Sequence, residues 1–229
     1  MNEFLIGFDK TFIVDARYQL FLTGLKNTIT IAFFATLIGT LIGLIVAIIR
    51  YSAKNNKKLY FFDLLCNIYV SVIRGTPVVV QLLIMYYTIF ANIDNSVFIA
   101  IMTFGINSGA YVAEIARAGI ESVDKGQMEA GLSLGLNSSK TMLFIIMPQA
   151  IKNILPALGN EFIALLKETS VVGFVPVIDL TNAGNLVRSR TYLPFFSLYT
   201  VALGYLIMVL GLGSMQKRLE RRLSQSDRN

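Results

Sequence analysis

A chain of 229 residues that is 55% hydrophobic, with a mean hydropathy of +0.63, is too apolar for an ordinary soluble domain of its size. With no His and a single Cys, Cys66, it offers no His-based metal cluster, no Cys/His or Ser/His nucleophile and no internal disulfide. The net charge of +6 would suggest nucleic acid in a soluble protein, but here the basic residues flank apolar runs, where they orient a chain in a lipid bilayer, so no nucleic-acid partner is expected.

Residues 1–23 are aromatic (Phe4, Phe8, Phe12, Tyr18, Phe21) and carry Glu3, Asp9 and Asp15. They read as an interfacial amphipathic lead-in and not as a signal peptide, which would start basic. The first apolar span covers 24–49, with Gly39 and Gly43 spaced for close helix approach. Arg50, Lys54, Lys57 and Lys58 come next, and by the positive-inside rule that loop is cytoplasmic and the N-terminus outside. A second span, 60–90, contains Arg74, Gly75, Thr76 and Pro77 near its middle. The acidic link 91–96 suits the outside. The third span, 97–118, is interrupted by Gly105, Asn107, Ser108 and Gly109. A polar stretch, 122–148, precedes the fourth span, 149–172, which carries Asn160 and Glu161 centrally. Residues 173–191, with Asp179, Arg188 and Arg190, read as an outer loop with room for a short helix. The fifth span is 192–215, and the tail is basic at Lys217, Arg218, Arg221, Arg222 and Arg228 against Glu220 and Asp227. The expectation is an all-α integral membrane protein: one transmembrane domain over 1–229, five spans, N-terminus out and C-terminus in.

The stretch 122–148 is too polar for lipid, where unsatisfied backbone and charge are costly. It reads as two short helices joined at a bend. Asp124 caps the first, with Gln127 as reciprocal partner; Glu129 suits its positive end; Gly135 ends it. Asn137 and Ser138 cap the second, and Pro148 bends or interrupts the chain beyond it. Gly131 weakens the first helix by about 1 kcal/mol relative to Ala. A Ser/Lys pair, Ser122 and Lys125, matches a catalytic spacing only at chance level. The run 135–141 lacks the ending of a phosphate loop and is preceded by no strand, so ATP is not bound that way.

Charges inside spans carry the stronger signal. Arg74 at mid-span costs roughly 2.5–3.5 kcal/mol on the insertion scale unless it meets a partner or a wet cavity. Gly75, Thr76 and Pro77, next in the chain, loosen the helix, which is tolerated where backbone lines a cavity. Glu161, beside Asn160, either pairs across helices or receives an ammonium. Arg74 pairs with Glu161 or Glu114, or faces a ligand carboxylate. Glu114 is three residues from Arg117, which favours an intrahelical pair. Gln81, Asn107 and Ser108 fit either role. The candidate substrate contacts are therefore Arg74, Thr76, Gln81, Asn107, Ser108, Glu114, Asn160 and Glu161.

The order Glu129, Ala130, Gly131, then Gly135, then Ile145, Met147 and Pro148 resembles the EAA signature of ABC-importer permeases, with Gly131 for the second Ala and Met147 for Leu. RGTPVVVQL (74–82), NSGAYVAEIARAGIESVDKGQMEA (107–130) and LPALGNEFIALLKETS (155–170) are similar to permease subunits of polar amino-acid ABC importers, the group handling histidine, glutamine and arginine. The resemblance implies a type I importer fold and coupling helices that dock on two ABC ATPase subunits. It also implies a second permease copy or paralogue and an extracytoplasmic amino-acid-binding protein. Lys125, Gln127, Glu129, Ala130, Gly131, Leu134 and Gly135 become candidate ATPase-coupling residues. The implied chain is not an enzyme: it binds no cofactor, and ATP and Mg2+ belong to the partner. A small ion-driven secondary transporter is the alternative, but that class often shows inverted internal repeats, and none is found here.

Overall fold

The computed structural model describes residues 3–53 and 56–225. Lys54 of the first basic loop and Asp227 and Arg228 of the tail lie outside the described residues. Among the described residues all regular structure is helical. Four helical stretches are long and apolar enough to cross a membrane, and a fifth candidate is a broken pair, Lys57–Gly75 with Val78–Ile89.

The elements in chain order are α1 (Glu3–Phe8), α2 (Tyr18–Ala53), α3 (Tyr60–Gly75), α4 (Val78–Ile84), α5 (Ser96–Glu121), α6 (Lys125–Ser133), α7 (Ser138–Thr141), α8 (Met147–Glu168), α9 (Leu180–Thr191) and α10 (Pro194–Gln225). The break between α3 and α4 has a local cause. Pro77 lacks an N–H, and its bulk pushes Thr76 out of helical geometry. The freed Thr76 carbonyl is recovered by Gln81 Nε2, at 3.2 Å, which also donates to Thr76 Oγ1 at 2.8 Å.

Two compact units divide the chain. One takes residues up to Thr36, then Thr76–Gly105 and Phe162–Ser214; the other takes Leu37–Gly75, Ile106–Glu161 and the chain from Met215 on.

In the first unit, Ile31, Leu82, Phe104, Leu165 and Val172 form one core and Phe21, Leu180, Val187 and Val201 a second. The lead-in is more ordered than its sequence suggests. A π-helical turn Asp9–Ile13 and a short 3-10 turn Val14–Ala16 join α1 to α2, and the Phe4 ring meets Phe196 of α10 at 5.2 Å. It folds onto the protein in addition to any contact with the interface. Residues 173–191 contain the full 12-residue helix α9. Asp179, completely buried, caps it by accepting from Thr181 N at 2.8 Å and Asn182 N at 3.2 Å, and burial pushes its carboxyl above the ordinary range. Asn27 Nδ2 donates to the Ile178 carbonyl at 2.9 Å, and the Leu180 N–H donates to Thr28 Oγ1 at 3.1 Å, so α2 carries the polar ends of this segment. Arg188 and Arg190 lie in the last turn of α9, where the helix dipole favours cations.

In the second unit, α2 and α5 approach through small residues. A Cβ on Gly39 would lie 2.8 Å from Ser108 Cβ, and one on Gly43 2.5 Å from that of Val112. Lipid is as apolar as a leucine, so such close contact supplies the association energy that hydrophobicity cannot. Gly105, Asn107, Ser108 and Gly109 do not interrupt the helix, contrary to the expectation from sequence: α5 runs unbroken through them. Gly109 and Ser108 serve close packing: a Cβ on Gly109 would lie 2.7 Å from Tyr69 OH, which reaches across to the Ile106 carbonyl at 2.6 Å.

Pro148 likewise does not interrupt its helix. A π-helical turn, Met142–Ile146, carries α7 into α8, and Pro148 sits just inside α8. The wider turn releases the hydrogen-bond register that a proline would otherwise break. The second helix of the polar stretch is therefore the beginning of the fourth span, whose helical run extends over Ser138–Phe174.

Candidate functional site

Two groups of residues in the second unit carry the polar chemistry. The first is an ion-pair node on Glu114. Its Oε1 accepts from Arg50 Nη1 at 2.6 Å. Its Oε2 accepts from Arg117 Nη2 at 2.9 Å and Nε at 3.1 Å, and lies 3.6 Å from Arg74 Nη1. Three arginines from three helices thus share one carboxylate. The Arg117 contact is the expected intrahelical pair, and Arg74 takes Glu114 of its two candidate partners. The Arg74 guanidinium also lies over the Tyr111 ring, 5.3 Å from its centroid, a cation–π contact. The Arg50 contact departs from the expectation of a solvated basic loop, because the side chain turns back to α5. Asp63, 4.0 Å from Arg50 Nε, adds a second carboxylate to the node, from the first turn of α3.

Glu161 belongs to the second group. It is half-buried and accepts from Ser108 Oγ at 2.9 Å, while Ser108 and Asn107 are buried and Asn160 is exposed. Ser108 and Tyr111 are three residues apart on one face of α5. That face therefore holds Glu161 at one residue and the Arg74 guanidinium at the other. Of the other expected contacts, Glu114 is committed to arginines, and Thr76 and Gln81 belong to the first unit, where they stabilise the helix break.

The coupling candidates lie on α6 and the bend after it. Asp124 caps α6, but its carboxylate accepts from the Gly126 N–H, at 2.6 Å, instead of pairing with Gln127. Gly135, at φ +83°, ends the helix as expected. Leu136 N donates to the Gly131 carbonyl at 3.1 Å and Gly135 N to that of Leu132 at 3.0 Å, which is the Schellman pair. Asn137 caps α7 by accepting from Lys140 N at 2.9 Å. Lys125, Gln127, Glu129 and Ala130 are exposed, and Leu134 is 81% exposed, an apolar side chain presented without cover.

Gly131, in contrast, is buried, and its role is spatial. A Cβ there would overlap Thr141 Cγ2 and lie 2.8 Å from Thr141 Oγ1. The glycine lets α6 lie against α7, so its cost in propensity is offset by packing. Gly131→Ala should lower thermal stability by about 1–3 kcal/mol, the usual cost of overpacking. Adding Thr141→Ser, which removes Cγ2 and keeps the hydroxyl that bonds the Asn137 carbonyl, should recover most of the loss; melting curves of the three purified chains decide it.

Residues 39–225 match the family model described as the binding-protein-dependent transport system inner membrane component. A Rickettsia felis protein named for glutamine transport, GlnP, is 36% identical over 97% of this chain and 99% of its own length. The arginine transport system permease protein ArtQ of Bacillus subtilis is 35% identical over 90% of this chain and 93% of its own. A crystal structure of an amino acid ABC transporter with histidines superposes with a TM-score of 0.83 at 41% identity, covering 92% of this chain and 98% of that one. A family model over most of the length, joined by relatives above 30% identity over 90% and 97% of the chain, leaves one assignment: the chain belongs to the binding-protein-dependent transport inner membrane components, and is a membrane-spanning permease subunit of an ABC importer.

Proposed function

We propose that the chain forms half of an importer pathway for a polar amino acid, cationic or amide-bearing, with Glu161 as the group that receives its ammonium or cationic side chain. The observation that carries this is Glu161 itself: a half-buried carboxylate within an apolar span, oriented by the Ser108 hydroxyl. Asn160 adds an amide group next to it in sequence, Asn107 one next to its partner Ser108, and the Arg74 fork suits a carboxylate bidentately. Relatives named for glutamine and arginine transport and a structure holding histidines support the substrate class.

The polar stretch with α6 is the element we assign to docking on an ATPase subunit. Two such subunits, a second permease copy or paralogue and an extracytoplasmic binding protein complete the assembly in this reading. Hydrolysis of ATP with Mg2+ belongs to the ATPase, and this chain holds neither. Orientation in the proposal is N-terminus out and C-terminus in. Single cysteines at Asn56 and Asn92, in a Cys66→Ser background, should label from opposite sides of the membrane, and labelling of both from outside contradicts it. Asn92 is preferred to Asn95 because the Asn95 side chain caps α5, accepting from Phe98 N at 3.0 Å.

Transport by Glu161→Gln tests the substrate role. Loss of one charge-assisted contact should weaken uptake of arginine about tenfold and of glutamine less. Equal loss for both, in step with a lowered melting temperature, assigns Glu161 to bracing alone.

A further inference from the structure

We infer that the second unit holds another amino-acid site, separate from Glu161 and built against the coupling helix. A cavity of about 730 Å3 opens where the C-terminal turns of α2 and α5 meet the first turns of α3 and α6. Small-molecule sites span roughly 300–1,000 Å3. Its wall is largely apolar, but groups of both signs converge on it: Asp63, Glu121 and Asp124 on one side of the balance, Arg50, Arg117 and Lys125 on the other. Arg50 is already engaged by Glu114, and Asp124 by the Gly126 N–H. Arg117 is already engaged, by Glu114 and Glu121. Lys125 is exposed and has no ion-pair partner among the described residues; it stands in the first turn of α6, beside the capping Asp124, and is the cation left for a carboxylate. Asp63 accepts from Asn67 Nδ2 at 3.1 Å and lies 4.0 Å from Arg50 Nε, a loose contact that leaves it lone pairs for an ammonium. A simple anion meets carboxylates here and a simple cation meets arginine and lysine, so the ligand that satisfies both ends is a zwitterion. A free amino acid and an amine-bearing phospholipid headgroup share that chemistry, and the free amino acid is the occupant we assign.

Bound there, it touches the spans through Asn67 and Tyr51 and the coupling helix through Lys125 and Met128. It therefore ties the spans to the helix assigned above to coupling.

The chain has no Trp, so Tyr51→Trp places a sole indole at the cavity. The full-length chain is held in nanodiscs of phosphatidylglycerol and titrated with arginine and with glutamine. A saturable shift in indole emission is expected, unchanged by Glu161→Gln. Asn67→Leu should raise the apparent Kd about tenfold, the loss of one polar contact. A Tyr60→Trp reporter repeats the titration in case the first indole blocks the site. Silence from both reporters, or loss of the signal with Glu161→Gln, overturns the site. So does a shift produced by phosphatidylethanolamine that leaves no response to free amino acid, since the cavity then takes lipid. Failure of the Glu161 assignment would instead show as normal transport by Glu161→Gln with the indole signal intact.

Discussion

Gly135→Val should abolish substrate-stimulated ATP hydrolysis by the assembled transporter while leaving membrane insertion intact. The residue stands at φ +83°, where a β-branched side chain is a true outlier. Forcing the chain there costs of order 1–3 kcal/mol. The backbone would relax by giving up the paired bonds from Leu136 and Gly135 that close α6. Nothing lies within 4 Å of a Cβ at this position, so the effect is conformational and not a clash. Gly135→Asn separates the two causes, since Asn tolerates the left-handed region and should keep much of the activity. Normal stimulated hydrolysis in the valine variant would remove the coupling role from this bend.

The second large effect concerns Glu114. Replacing it by Ala leaves Arg50, Arg74 and Arg117 crowded together without their shared carboxylate. The side chain is 20% exposed, so the loss should fall below that of a fully buried pair, at about 2–3 kcal/mol. Glu121→Ala is the control. Glu121 pairs with Arg117 one turn away at 46% side-chain exposure, a setting worth about 0.3–0.5 kcal/mol. Thermal unfolding in detergent should therefore separate the two variants clearly, and equal melting temperatures would mean that the node contributes no more than a surface pair.

What the sequence makes legible is local. Asp124, Gly135 and Asn137 reveal the ends of α6 and the start of α7 because caps and positive-φ turns depend on residues within one turn of each other. The broken second span is legible from Pro77 for the same reason. The Glu114 node is not legible: Arg50 lies 64 positions away in sequence, and no periodicity links them. Its signals are the intrahelical spacing to Arg117 and the mid-span Arg74, for which Glu114 is one of two candidate partners. Gly131 looks like a weak point in a helix, because its value depends on Thr141 across the bend. Gly105 and Gly109 look like breakers, because in water they would be, whereas in a membrane helix small residues permit packing. Pro148 misleads because a π-helical turn absorbs it, and nothing in the local sequence announces that turn.

The most direct test of the account is uptake by proteoliposomes containing this chain with its ATPase and binding protein. Uptake of arginine or glutamine should require ATP inside the membrane system on the ATPase side and should survive collapse of proton and sodium gradients. Uptake that continues without ATP and stops when the gradients are collapsed would contradict it.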